Sequence, residues 1–283
     1  MKKVLKSGLI KLLSIDAVGN LSKKLSSFFW KIKYQRDLIE RKESEAQIHK
    51  LAESLFKDKT VLHGPFQGLK YPGFRSRNSS LNSKLIGSYE TELHGVFEEI
   101  IKTDYTQILD IGCAEGYYAV GLALKMPGVK VLAYDIEAEA RQLTGDMARL
   151  NKVADRVRIE ASCTEETLKN FAFDKRSLII SDCEGYERYL FTEKNLANLK
   201  NTDILIETHD WVNINISTNL ENLFAKTHDV EIIRSIGDVL KAKHYKYDEL
   251  ANETLETKYR IFEEGRGFTD EWLWIKARRP SIG

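Results

Sequence analysis

Residues 108–120 read ILDIGCAEGYYAV, and this stretch decides the fold. An apolar run contains one carboxylate, Asp110, and then breaks at two glycines, Gly112 and Gly116, which three residues separate. The pattern predicts a buried strand, a tight turn and a helix. In an open parallel sheet, ligands bind beyond the carboxyl ends of the strands, where the first strand-to-helix loop approaches them. We therefore predict that residues 110–116 form a ligand-binding loop.

Strand-like and helix-like segments alternate on both sides of this loop. A helix with one buried face is predicted over residues 91–102. Apolar strand segments then alternate with helical segments, and this alternation predicts a parallel, doubly wound α/β sheet. Near the end of the chain, DVEIIRS and EWLWIKA are predicted to be two further strands, joined by a long insertion. The expected fold is a Rossmann-like, mostly parallel sheet of seven strands with an N-terminal helical extension.

The chain divides into three predicted regions. Residues 1–60 are expected to form a basic amphipathic helical extension, residues 61–90 a loop-rich connector, and residues 91–283 the α/β domain. From Met1 to Arg36 the chain has nine Lys and Arg residues against one Asp, although its overall net charge is only +1. Two interpretations stay open for this extension: it packs on the body or on a second subunit of a homo-oligomer, or it contacts an anionic membrane surface.

Several classes of protein are disfavoured by composition. Lys11 and Asp16 interrupt the apolar part of the leader, so a signal peptide is not expected, and no apolar run has the ~18 to 20 residues that a membrane span needs. The three cysteines, Cys113, Cys163 and Cys183, have neither disulfide nor zinc spacing. Because charges nearly balance, no nucleic-acid partner is expected. These features predict a cytoplasmic protein, at most peripheral at the inner membrane face.

The loop after the first strand differs from a dinucleotide-binding fingerprint. That fingerprint is G-x-G-x-x-G, whereas the order here is D-x-G-x-x-x-G. Asp110 would repel a pyrophosphate, but it suits a ligand with an amino or sulfonium group. About 20 residues further on, Asp135 ends the second strand, where an acid can accept hydrogen bonds from ribose hydroxyls. Asp135 could also be the N-cap of the next helix, although the spacing favours the ribose role. A dinucleotide oxidoreductase is the competing interpretation of the loop.

The motif and the second acid together resemble the class I S-adenosylmethionine-dependent methyltransferases, whose first motif is an acidic residue followed by spaced glycines after an apolar strand. The resemblance implies S-adenosylmethionine as the cofactor. The predicted cofactor-binding residues lie in the glycine loop and after the second and third strands; they are Asp110, Gly112, Cys113, Ala114, Gly116, Asp135, Ile136 and Ser162.

Acidic residues and a histidine follow the fourth and fifth strands. SLIISDCEGYERYL contains Asp182 and Glu184, and DILIETHDW contains Glu207 and His209. By topology, these strand ends should flank the methyl group of the cofactor. Methyltransferases that act on adenine or cytosine nitrogens have N-P-P-Y or D-P-P-Y at the first of these positions, where this chain has S-D-C-E. Carboxylates suit a hydroxyl nucleophile, which must lose a proton as the methyl group moves.

The combination of D-x-E-G-x-E with I-E-x-H resembles the FkbM-type methyltransferases across roughly Gly87 to His209. This resemblance implies O-methylation, often of sugar or polyketide hydroxyls. It assigns Asp110, Gly112, Gly116 and Asp135 to the cofactor, and Asp182, Glu184 and Gly185 to the second motif. We expect an enzyme of polysaccharide biosynthesis whose small-molecule or glycan acceptor is a sugar of a cell-surface polysaccharide, a glycolipid or a nucleotide sugar.

Three catalytic residues are predicted: His209, Asp182 and Glu184. His209 is the first choice for the general base because histidine titrates near neutral pH. Alternatively, Glu207 orients His209 in a supporting role, and Glu184 caps the following helix. Asp182, Glu184, Glu207 and His209 could also furnish hard ligands for a divalent cation, but no metal site is predicted from this spacing.

The insertion before the last strand is predicted to be an acceptor lid, with a solvated hairpin as the alternative. Aromatic rings can stack on sugar faces and arginines can hold phosphates, and the residues concerned are Tyr245, Tyr247, Tyr259, Arg260, Arg266 and Trp272. A second function class is a non-catalytic module that keeps the fold and binds a partner through its N-terminal helical segment.

Overall fold

The computed structural model describes residues 16–73, 76, 80–174, 176–266 and 270–278. Residues 1–15 of the predicted N-terminal helical extension lie outside the described residues. The chain forms two compact units, Met1–Ser54 and Leu55–Gly283. The predicted region boundaries at residues 60 and 90 stay predictions.

The first unit consists, in its described part, of helix α1, Asp16–Leu55. This helix confirms the predicted N-terminal helical extension. Large apolar side chains on it are exposed, among them Phe28, Phe29 and Trp30. Across the described residues, no helix has both the length and the apolar character that crossing a bilayer requires.

A single sheet forms the centre of the second unit. Its strands among the described residues run in the order β3-β2-β1-β4-β5-β7-β6. β1 to β5 are parallel, and β7 pairs antiparallel with both β5 and β6. The seven-stranded, mostly parallel sheet is therefore confirmed. The strands are β1 Gln107–Ile111, β2 Lys130–Tyr134, β3 Val157–Glu160, β4 Ser177–Ser181, β5 Asp203–Thr208, β6 His228–Arg234 and β7 Glu271–Ala277.

Helices flank this sheet. The described helices of the second unit are α2 Leu81–Ile86, α3 His94–Lys102, α4 Tyr117–Lys125, α5 Ala138–Leu150, α6 Glu165–Asn170, α7 Glu187–Leu190, α8 Glu193–Leu199, α9 Ile216–Phe224, α10 Asp238–His244 and α11 Leu255–Phe262. Local sequence explains several of their starts. The Thr164 hydroxyl accepts the amide N–H of Thr167 at the start of α6, and Thr192 forms a capping box with Asn195 at the start of α8.

The core lies on both faces of the central strands, because every residue of β4 and β5 is buried. The chain leaves β1, forms β2 and β3 on one side, and then returns to β4 on the other side of β1. This reversal is the topological switch point, where the crevice of an open α/β sheet opens. The loops after β1, β2, β4 and β5 therefore lie at one edge of the sheet.

The insertion between β6 and β7 is not a solvated hairpin, so that alternative is wrong. It contains α10 and α11, and Leu250, Ile261 and Phe262 within it are at most 1% exposed. The burial of these apolar side chains supplies a stabilisation that a solvated hairpin would lack.

Candidate active site

A cavity of about 920 Å³ opens at the carboxyl edge of the sheet. Its wall includes most of the predicted site residues: Gly112, Cys113, Ala114, Asp135, Ile136, Ser162, Asp182, Glu184 and His209. The structure thus brings the predicted cofactor loop and the predicted catalytic residues to one cavity. Asp110 and Gly116 lie behind the wall rather than on it.

The glycine loop has a backbone that few other residues could adopt. Gly112 has a φ of +89°, and a Cβ atom added to it would lie 1.7 Å from the carbonyl oxygen of Asp182. Its amide N–H and that of Cys113 donate to the carbonyl oxygen of Tyr134, at 2.8 and 3.0 Å. The loop after β1 is therefore held directly between the end of β2 and the loop after β4.

Asp135, directly after β2, also holds the glycine loop in place. Its Oδ2 accepts the amide N–H of Ala114 at 2.9 Å, and its Oδ1 accepts that of Glu137 at 2.8 Å. Glu137, rather than Asp135, is the N-cap of α5, so the N-cap alternative for Asp135 is wrong. Beside it, Ile136 is 80% exposed on the cavity wall, an uncommon exposure for a large apolar side chain at a site edge. Both residues lie where the predicted ribose contact would form.

Asp110 lies beneath the loop and is only 2% exposed. Burial raises the pKa of this carboxyl to about 7. Its Oδ2 has no hydrogen-bond partner among the described residues. A buried, unsatisfied carboxylate oxygen is costly, so a cationic group near the loop would relieve it. Gly116, with a φ of +96°, fits against Thr144 on α5.

His209 is enclosed by carboxylates. Its Nδ1 lies 3.1 Å from Glu187 Oε1, and its Nε2 lies 3.4 Å from Asp182 Oδ1 and 3.7 Å from Glu184 Oε2. Burial lowers the pKa of His209, but the carboxylates of Asp182 and Glu187 outweigh that effect and raise the pKa to about 11. This raised pKa argues against a base that titrates near neutral pH, because an imidazolium has no lone pair to accept a proton, and the catalytic role of His209 stays a prediction.

Glu184 is the more accessible carboxylate of this group. It lines the cavity with a φ of +53°, and its side chain is 60% exposed. Its partial burial, and then the charge of Asp182, raise the pKa of Glu184. Glu187, by contrast, is fully buried at the start of α7, where its Oε1 accepts the amide N–H of Cys183 at 2.6 Å. The two glutamates therefore have different roles, one facing the cavity and one supporting the loop.

A second charged cluster surrounds Arg266. Its guanidinium donates to Glu207 at 2.7 Å and to Glu90 at 2.6 Å. It also donates to Glu264 at 3.0 Å and to Asp270 at 2.8 Å. With four carboxylates around it, Arg266 is not available to hold a phosphate, so that part of the lid prediction is wrong.

Most of the predicted lid also lies away from the cavity wall. Tyr247 stacks on His63 with ring centroids 3.5 Å apart, and Tyr245 contacts both rings from the edge. Trp272 is buried in β7, and Tyr259 and Arg260 face Glu263. Of the six predicted lid residues, Arg266 alone is in the described wall.

Three potential metal ligands also lie together. One ligand atom from each of Asp182, Glu207 and His209 falls within 4.8 Å of the others. Two of the three are already engaged, because His209 is an imidazolium between carboxylates and Glu207 binds Arg266. A cation would have to displace the proton of His209, and the absence of a metal site stays a prediction.

Sequence reasoning missed two residues that shape the donor side of the cavity. Lys84 on α2 lines the wall, and its Nζ lies 2.5 Å from Glu115 Oε1, in the middle of the glycine loop. Both side chains are at most 4% exposed. The available signal was weak: a lysine directly before two apolar residues in LNSKLI, and an acid between the two glycines.

Comparison with known proteins gives one extensive match. A family model described as O-methyltransferase matches residues 76–219. The release factor glutamine methyltransferase of Chlorobaculum tepidum is 31% identical over 80 residues, which are 28% of this chain and 27% of that protein. The match thus spans about a quarter of that relative's length.

Two solved structures are similar in outline. The precorrin-6y C5,15-methyltransferase of Geobacter metallireducens superposes with a TM-score of 0.43 and 17% identity, over 68% of this chain and 90% of that one. An O-methyltransferase of Streptomyces achromogenes involved in tomaymycin synthesis, solved in complex with SAM, superposes with a TM-score of 0.45 and 11% identity, over 68% and 81% of the two chains.

Proposed function

The chain belongs to the O-methyltransferase family, and from that premise we propose that it methylates a sugar hydroxyl of a cell-surface polysaccharide or glycolipid. It is an S-adenosylmethionine-dependent methyltransferase, with S-adenosylmethionine as its cofactor. Neither the non-catalytic module nor the dinucleotide oxidoreductase agrees with this family. The FkbM-type resemblance of D-x-E-G-x-E and I-E-x-H supports the sugar hydroxyl as the acceptor group.

The residues of the cavity fit this cofactor. Gly112 leaves no room for a side chain, so the loop backbone stays open to a ligand. Asp110 has an unsatisfied carboxylate oxygen beneath the loop, which suits a cationic ligand, and Asp135 stands at the end of β2 for the ribose. When bound, the sulfonium supplies a methyl group activated for attack by an oxygen nucleophile.

The observation on which the proposal rests is the acidic wall opposite the glycine loop. Asp182, Glu184 and Glu207 all face the cavity there. Carboxylates can accept hydrogen bonds from sugar hydroxyls and can take up the proton that the nucleophile loses. The same wall would repel phosphates, particularly since Arg266 is already neutralised. This charge pattern favours a neutral glycan over a nucleotide sugar.

Within this wall we propose Glu184 as the general base. Its raised pKa brings its basicity closer to that of an efficient base near neutral pH. Asp182 and the imidazolium of His209 would then hold Glu184 and the acceptor in place. Because methyl transfer needs an in-line approach, positioning by these side chains should supply most of the acceleration.

The test is transfer of a labelled methyl group to candidate acceptors. The protein is incubated with labelled S-adenosylmethionine and with neutral cell-envelope glycans, glycolipids and nucleotide sugars in parallel. Label on the hydroxyl of a neutral glycan or glycolipid supports the proposal. Label on a nucleotide sugar alone, or on a nitrogen, would contradict it, and so would failure to label any glycan while another hydroxyl compound is methylated.

A further inference from the structure

Lys84 is a cation with spare hydrogen-bonding capacity at the donor side of the cavity. Besides His209, which carboxylates enclose, the basic side chains of the described wall are Lys84 and Arg266. Arg266 binds four carboxylates, whereas the ammonium of Lys84 contacts the single carboxylate of Glu115 at 2.5 Å and the hydroxyl oxygen of Ser76 at 3.3 Å. An ammonium has three N–H donors, so these two contacts leave one for a ligand.

The surroundings of Lys84 hold its ammonium beside the glycine loop. Its Nζ lies 4.7 Å from the ring centroid of Tyr89 and 5.2 Å from that of Tyr117. Tyr117 is the first residue of α4 and directly follows Gly116. Burial raises the pKa of Glu115, but the charge of Lys84 and the hydrogen bonds from Lys84 and Ser76 together outweigh burial, and the pKa is lowered overall. Glu115 is therefore held as a carboxylate, and this carboxylate of the loop fixes the position of Lys84.

We propose that Lys84 binds the carboxylate of the methionine moiety of S-adenosylmethionine. The inference rests on the proposed function, which makes this molecule the donor. The donor has one carboxylate, and the acidic side chains of the wall, Asp135, Asp182 and Glu184 among them, would repel it. Lys84 is the cation near the glycine loop that can attract it, and Glu115 positions Lys84 for this contact.

This assignment is tested by comparing the affinities of two proteins, the wild type and one variant, for two ligands that differ in the carboxylate. Lys84→Met and the wild type are titrated by calorimetry with S-adenosylmethionine and with its decarboxylated analogue. A charge-assisted hydrogen bond corresponds to a loss of about tenfold to a hundredfold in affinity. We expect that loss for S-adenosylmethionine and less than about threefold for the analogue. Lys84→Arg should keep the preference for the carboxylated ligand.

The controls separate a binding role from a structural one. Lys102→Met makes the same change at a side chain that is 78% exposed, and it should leave both affinities unchanged. Equal losses for the two ligands in Lys84→Met would overturn the proposal, because they would show that Lys84 only holds the loop. If Lys84→Met is unfolded, Lys84→Gln replaces it in the same comparison. Failure of the wild type to bind S-adenosylmethionine would instead refute the proposed function.

Discussion

Replacing Gly112 by alanine should damage both the fold and the donor site. A residue with a Cβ atom at this φ of +89° destabilises the fold by about 1 to 2 kcal/mol because of backbone strain. The added Cβ would also lie 1.7 Å from the carbonyl oxygen of Asp182, which is backbone and cannot rotate away. The loops after β1 and β4 must then separate, so we expect a total loss of about 3 kcal/mol or more in the free energy of unfolding.

Gly68→Ala is a matched control that isolates the backbone contribution. Gly68 has a φ of +91°, and a Cβ added there would meet no atom within 4 Å. The control should therefore lose only the backbone cost, about 1 to 2 kcal/mol. In a domain of this size, 1 kcal/mol corresponds to roughly 2 to 4 °C in Tm. Thermal unfolding should consequently separate the two variants by several degrees.

Calorimetric titration with S-adenosylmethionine completes the comparison. Gly112→Ala should lose about tenfold or more in affinity, because even small displacements of the loop weaken the contacts of a bound ligand. Gly68→Ala should bind normally. Equal stability of the two variants, together with normal donor affinity in Gly112→Ala, would refute the argument that close packing of the two loops forms the donor site.

Three other predictions follow from the charged clusters. The pKa of His209 is raised to about 11, so its protonated form should stabilise the fold fully below about pH 6.5, and this stabilisation should decline as the pH rises toward 11. Urea denaturation should therefore show that the free energy of unfolding falls with pH across this range in the wild type, and that this fall is missing in His209→Gln. Glu184→Gln should reduce kcat by about a hundredfold or more while donor affinity changes little, and an unchanged kcat would reject Glu184 as the base. Arg266→Met should lower the free energy of unfolding by about 3 to 5 kcal/mol because it leaves buried carboxylates unpaired. The control Arg234→Met, at an exposed ion pair, should lower it by no more than about 1 kcal/mol. Equal losses of the two variants in urea denaturation would contradict this reasoning.

The charge balance of the cavity connects the two proposals for ligands. Acidic side chains surround the acceptor side, and the ammonium of Lys84, which is paired with Glu115, lies on the donor side. A zwitterionic donor with an additional sulfonium charge suits this distribution, because its cationic groups meet carboxylates and its carboxylate meets Lys84. The acceptor is left with a wall of hydrogen-bond acceptors, which suits hydroxyl groups.

Much of the fold was predictable because its signals are local. The alternation of apolar strands with amphipathic helices indicated the sheet, and the spacing of Gly112 and Gly116 indicated the ligand-binding loop. Burial of consecutive side chains needs an apolar run, and a tight turn needs glycine. The helices α10 and α11 were missed because their sequence is polar and aromatic, and their few buried side chains pack against distant segments.

The sequence by itself indicated the alternation of strands and helices and the donor loop, since each of these signals depends on residues close together in the chain. The methyl-transfer chemistry was implied by the resemblance of its motifs to those of class I methyltransferases. The tertiary structure alone decided the ionisation of His209, the engagement of Arg266 by four carboxylates and the placement of Lys84 against Glu115. Each of these depends on distances between charges from separate segments. Coulombic interactions and desolvation change steeply over a few ångströms, and no spacing in the sequence encodes those distances.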